Sequence, residues 1–120
     1  MESTGARGEA IVAAWLERRG IRVVARNWRA GRGEIDLVVR DGRTVAFVEV
    51  KTRRLGPGGR PADAVDRRKR RHLVAAAGAW IAGHPGTGGE FRFDVAEVVV
   101  APGGRPLVEH WPDAFRADEA

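Results

Sequence analysis

The sequence predicts one α/β domain, a mixed sheet flanked by helices. Three observations carry this. Residues 4–19 and 61–82 hold apolar side chains at helical spacing, and short runs of strand character lie between and after them. The resulting order, α-β-β-β-α-β-β, groups the strands instead of following each with a helix, so one mixed sheet has a helix against each side or both on one. No repeat or domain boundary interrupts residues 1–120, which are expected to form a single domain able to bury a core without disulfides or a structural metal.

The first helix, 4–19, takes Ser3 or Thr4 as its cap, Ile11, Val12, Trp15 and Leu16 as its apolar face and Gly20 just past its end. Strands follow at 21–28, 34–40 and 44–52, the last two joined by Asp41-Gly42, a strong hairpin signal. Residues 55–60, rich in glycine, read as a loop. Pro61 opens the second helix, where Val65, Leu73, Ala76, Ala77, Trp80 and Ile81 keep helical spacing and cations crowd the first half. After a loop at 83–89, strands are predicted at 91–100 and 106–111.

Composition narrows the function classes. Without cysteine, neither disulfides nor thiolate zinc sites are available. The start lacks a basic region followed by an apolar run, and the most apolar stretch, 73–82, is too short to span a bilayer, so a soluble cytoplasmic protein without a membrane partner is expected. The net charge of +5 hides an asymmetry: through His72 there are 18 Arg and Lys against 9 Asp and Glu (+9), and beyond it 3 against 7 (−4). A basic half suits a polyanion, nucleic acid first, although arginine-rich codon usage also raises charge. The chain has 19 arginines and only two lysines, Lys51 and Lys69. Where arginine serves nearly every cationic position, a retained lysine points to a need for a compact ammonium, unless the two are chance.

The central segment, 33–51, carries the candidate chemistry. With Asp41-Gly42 as a two-residue turn, opposed residues sum to 83, so Glu34 faces Glu49 and Asp36 faces Phe47. One face then holds Ile35, Leu37, Val39, Ala46, Val48 and Val50; the other holds Glu34, Asp36, Glu49 and Lys51. Asp36 and Glu49 become diagonal neighbours with backbones roughly 7–8 Å apart, close enough to share one cation. Two hard oxygen ligands with positions left for water and phosphate suit Mg²⁺ (or Mn²⁺), and Lys51 can orient water or support charge on phosphorus. A solvated edge with a cross-strand ion pair is the competing reading of Glu-Val-Lys, but it leaves the like charges of Glu34 and Glu49 opposed without a cation.

Asp36 followed by Glu49-Val50-Lys51 resembles the core motif of the PD-(D/E)XK nuclease superfamily, which includes restriction enzymes and archaeal Holliday-junction resolvases. Gly8-Glu9, Arg26-Asn27-Trp28-Arg29, Gly33 to Leu37, Phe47 to Arg53, Phe93-Asp94-Val95 and Asp113-Ala114-Phe115 are similar to the bacterial YraN-type family over nearly the whole chain. The resemblance implies a restriction-endonuclease-like α-β-β-β-α-β core, with Asp36 and Glu49 as metal ligands, the Val50 carbonyl as a third, and Lys51 as the catalytic lysine. Glu9 matches an additional acidic residue of resolvases; otherwise it is a surface glutamate favoured by the helix dipole. Glu34 joins the candidate acids.

Arg26, Arg29 and Arg32 precede the site and Arg53, Arg54 and Arg60 follow it, as phosphate-binding groups would. Lys69, with its arginine neighbours, is a candidate phosphate track or a solvated face. Trp28 and Trp80 are candidates to stack on bases, with core packing the competing expectation for Trp80. The three histidines are too scattered for a metal motif. The leading expectation is an Mg²⁺-dependent endonuclease on branched or structured DNA; the alternatives are a non-catalytic nucleic-acid-binding module and a protein-interaction subunit. An isologous homodimer would fit the two-fold symmetry of a four-way junction.

Overall fold

The computed structural model describes residues 4–54, 67–87, 89–100 and 103–119, with the side chains of residues 4, 5, 54 and 119 set aside. Its elements are α1 (Thr4–Glu17), β1 (Arg22–Ala30), β2 (Gly33–Asp41), β3 (Thr44–Arg54), α2 (Arg67–Gly83), β4 (Glu90–Val100) and β5 (Leu107–Phe115), then a short 3₁₀ turn at Ala117–Glu119. The expected loop at 55–60 and the expected helix start at Pro61 lie outside the described residues. The observed order contains the α-β-β-β-α-β core.

The sheet is mixed, in the order β1-β2-β3-β4-β5. Only β3 and β4 run parallel; the other pairs are antiparallel. This follows from connectivity, since hairpins give antiparallel neighbours whereas a return through a helix gives parallel ones. Each helix covers its own face. Ile35, Val38, Val45 and Phe47 pack with Leu73, Ala76, Ala77 and Trp80 of α2, and Leu37, Val39, Ala46 and Val48 pack with Val12, Ala13 and Leu16 of α1. Trp80, only 1% exposed and edge-on to Phe47, is core and not a base-stacking platform.

Two expectations are corrected here. The predicted division into one apolar face and one charged face fails, because Val45, Ala46, Phe47 and Val48 are all buried. A central strand sandwiched between helices is apolar on both sides, and alternation cannot reveal this. The hairpin register also differs. Asp41 pairs with Thr44 and Val38 with Phe47, so opposed residues sum to 85. The turn is Gly42-Arg43, with Gly42 at φ 61° in the first central position, where a type II′ turn takes glycine. Asp36 therefore does not face Phe47, and Glu34 does not oppose Glu49.

Gly33 lets α2 rest on the beginning of β2: a Cβ there would collide with the His72 carbonyl and crowd Ala76. Among the described residues, no helix is long and apolar enough to cross a membrane.

Candidate active site

The site forms where the sheet loses its regularity. Ile35 belongs to the α2-side cluster and Leu37 to the α1-side cluster, although residues two apart in a regular strand share a face. The slip falls on Asp36. On β1, Arg26 pairs with Leu37 and Trp28 with Ile35, which sets Asn27 opposite Asp36. Asn27 has φ 50°, a left-handed conformation that asparagine tolerates better than most residues. The β2–β3 ladder ends at Leu37–Val48, and beyond it Asp36 Oδ2 accepts the Val50 N–H at 2.8 Å. The carboxylate thus occupies a position that a strand carbonyl would otherwise fill.

This brings Asp36 close enough to Glu49 for the two carboxyls to interact. Burial, then the neighbouring Glu49 charge, raises Asp36 from its ordinary 3.8 to about 8, against the lowering effect of the Val50 N–H. Lys51 Nζ lies 3.9 Å from Glu49 Oε1, and Lys69 Nζ, arriving from α2, lies 3.3 Å from the same oxygen. Burial, followed by the adjacent Lys69, holds Lys51 below the usual lysine range; a hydrogen bond shared with Lys51 raises Lys69.

Glu9 approaches from α1. Gly8 faces Thr52 and Val50 so closely that a Cβ would meet the Thr52 hydroxyl, so glycine allows this turn of the helix to settle on β3. Glu9 consequently lies by Asn27, Glu34, Glu49 and Arg26; burial first, then the two acids, raise its pKa against the lowering effects of Asn27 and Arg26. Glu34 remains at the margin, paired with Arg29 at 3.5 Å.

The candidate cations divide. Arg26, Arg29 and Arg32 are exposed, as a phosphate-facing surface requires. Arg53 is instead committed to Glu97 of β4 at 2.9 Å, with both side chains largely buried, and so braces the β3–β4 pair beside Lys51. The Arg54 side chain and Arg60 lie outside the described residues.

No three Asp, Glu, His or Cys side chains converge into a metal-holding group among the described residues. Among the described residues, the side-chain donors at this point are the Asp36 and Glu49 carboxylates. Their oxygen chemistry fits Mg²⁺, which keeps several waters and is often held by one or two carboxylates plus substrate phosphate. Burial and the Glu49 charge raise Asp36 even with Lys51 and Lys69 close by, so a further cation beside it would favour its ionised form.

The sequence profile of the uncharacterised protein family UPF0102 matches residues 8–98. The chain belongs to that family. Similar UPF0102 proteins occur in Anaeromyxobacter dehalogenans (48% identical over 117 residues, 98% of this chain and 87% of that protein) and Nocardia farcinica (45% over 114 residues, 95% and 90%). A third, from Beutenbergia cavernae, is 46% identical over 109 residues, 91% of this chain and 92% of that protein.

In this UPF0102 chain the matched stretch contains the whole acidic constellation and both lysines. Sequence reasoning placed Lys69 on a helix surface and missed its meeting with Glu49; the scarcity of lysine was the available signal. It also gave no role to Asn27 or to His110. His110 Nε2 lies 2.8 Å from Asp94, a wholly buried carboxylate that also accepts the Arg92 guanidinium at 2.9 Å and the Asp113 N–H at 3.0 Å. This cluster secures the irregular β4–β5 pairing, where Asp113 has φ 53°, so the motif residues Asp94 and Asp113 have a structural explanation. A groove of about 930 Å³ between α2 and β4, floored by Phe47, Phe91, Phe93 and Phe115, is larger than anything needed for one ion. It excludes the acidic pair, so chemistry and not volume locates the candidate site.

Proposed function

We propose that this UPF0102 protein is a divalent-metal-dependent endonuclease of the PD-(D/E)XK type, hydrolysing phosphodiester bonds in branched or structured DNA in the cytoplasm. The observation that carries the reading is the convergence of the Asp36 and Glu49 carboxyls beside Lys51 at the point where β2 parts from β3. A partly buried pair of acids flanked by amines is costly for folding alone, and a cation-dependent role accounts for it. The mixed sheet with its α-β-β-β-α-β order supports the same reading.

Asp36 and Glu49 would hold the ion, with the Val50 backbone beside them as the third candidate donor. When bound, Mg²⁺ or Mn²⁺ supplies Lewis-acid polarisation of the phosphate and a more acidic water. Lys51 is placed to orient the attacking water or to support negative charge on the phosphoryl oxygens. Glu9, beside Asn27, would help to position water near the ion. The exposed Arg26, Arg29 and Arg32 would grip phosphates without reading bases. Cutting both strands of a two-fold symmetric junction calls for two sites, which a homodimer provides.

The test is cleavage of duplex, single-stranded, flap and four-way DNA with Mg²⁺ or Mn²⁺, alongside Glu49→Ala and Lys51→Ala. Cleavage should require the metal and vanish in both variants, while salt-dependent binding survives. Salt-dependent binding indifferent to EDTA, with no substrate cut, would instead establish a non-catalytic binding module.

A further inference from the structure

We infer that Lys69 is a stand-in cation. Without metal its ammonium occupies the Glu49 carboxylate; when a divalent ion claims that carboxylate, the released ammonium turns to a phosphate of the bound nucleic acid. The inference rests on the metal-dependent reading above and assigns to the helix α2 a role in it.

Three observations support the exchange. First, the two lysines in a chain of 21 cations both meet one carboxylate, although they lie on different elements. A lysine carries a point charge on a flexible stem and can leave an oxygen without breaking a two-pronged bond, whereas an arginine fork is built to stay. Second, the two are unequally exposed. Lys51 belongs to β3 with its side chain 23% exposed, while Lys69 lies on α2 with its side chain 53% exposed and nearer to Glu49, at 3.3 against 3.9 Å. Lys69 can swing outward without disturbing the sheet. Third, its destination is already cationic, for Arg67, Arg68 and Arg71 stand exposed on the same turns. A strand of phosphates lying there would receive an additional ammonium at the moment the ion binds.

A divalent ion and an ammonium would compete for the Glu49 carboxylate, so removing the ammonium should tighten metal binding. Tb³⁺ luminescence and Mn²⁺ calorimetry on the full chain, without DNA, should show about two- to fivefold tighter binding in Lys69→Met, the range expected for one partly exposed ion pair. Lys69→Arg should not tighten it. Arg68→Met, which removes the same charge from the same turn, should leave affinity near wild type.

The hand-over is read separately with four-way DNA. In Ca²⁺, the slope of log affinity against log salt should be shallower by about 0.9 in Lys69→Met than in wild type, one phosphate contact fewer. In EDTA the two slopes should coincide. Unchanged or weaker metal binding in Lys69→Met overturns the inference, as does an equal slope change in EDTA and Ca²⁺, which would make Lys69 a permanent phosphate contact. If wild type binds neither Tb³⁺ nor Mn²⁺, the metal-dependent reading falls as well; if it binds them and Lys69→Met is not tighter, only this inference falls.

Discussion

Replacing Asp36 with Asn should make the metal-free protein more stable at pH 8 while abolishing its response to metal. The folded protein raises this carboxyl from 3.8 to about 8, chiefly through burial and then through Glu49. A folded-state pKa above the unfolded one means that the native state binds the proton more tightly. Its stabilising effect is complete below pH 4 and is lost as pH rises toward 8. At ~1.4 kcal/mol per pH unit that gap sets a ceiling of roughly 6 kcal/mol, and the high effective dielectric of real sites reduces it to about 2–4 kcal/mol. Asn keeps an oxygen for the Val50 N–H and has no proton to lose in this range. Urea unfolding in EDTA, followed by tryptophan fluorescence at pH 4.5, 6 and 8, measures the difference between wild type and Asp36→Asn and so cancels groups common to both. The variant's advantage should grow with pH by about 2–4 kcal/mol, and Mg²⁺ at pH 8 should stabilise wild type alone. A variant less stable than wild type at pH 8, or a difference independent of pH, would refute the reasoning.

Asp94→Asn should destabilise the fold by about 2–3 kcal/mol, because it removes the buried anion and leaves the half-buried Arg92 guanidinium only the more exposed Asp41, at 3.4 Å. Burial alone would raise the Asp94 pKa, but hydrogen bonds from His110 and Arg92 outweigh it and hold the carboxyl low. Wild-type stability from this group is therefore present above the ordinary carboxylate range and lost as pH falls through the depressed value. Denaturation at pH 3 and pH 7 should show the wild type losing more than the variant, and equal losses would be inconsistent with the ion cluster. Gly33→Ala should cost about 1–3 kcal/mol by forcing α2 off β2, whereas Gly42→Ala should act only through the turn's positive φ. Thermal melts that leave Gly33→Ala unchanged would show that α2 can shift freely.

The element order was legible because each segment carries its own period: Val12 and Leu16 on α1, Leu73, Ala76, Ala77 and Trp80 on α2. The identities of Asp36, Glu49 and Lys51 were legible too, since charged residues interrupting apolar strands are conspicuous. What alternation could not supply was phase. Placing the turn at Asp41-Gly42 instead of Gly42-Arg43 displaced every cross-strand partner by two residues and set Glu34 against Glu49. The second helix hid a further fact, because a strand covered on both faces no longer alternates, and Val45 to Val48 read equally well as half-buried. The scarcity of lysine singled out Lys69 but not its partner: a helix-to-strand contact across 20 residues depends on how α2 crosses the sheet, which no local pattern encodes.

The missed phase and the acidic pair have one physical origin. In a regular strand Asp36 would project squarely onto one of the two helices, where an ionised carboxylate finds no partner and burial strongly opposes it. The left-handed Asn27 and the slip at Asp36 let that side chain reach a β3 whose Val50 N–H has lost its β2 ladder partner. Glu49 lies alongside because the ladder ends immediately before it, at Val48. The irregularity therefore lets Asp36 and Glu49 stand together inside the sheet, and it orients them toward the same point. Regular pairing through Asp36 would remove the opening and the meeting of carboxylates together, so the bend in β1 and β2 is as much a part of the proposed site as the charges themselves.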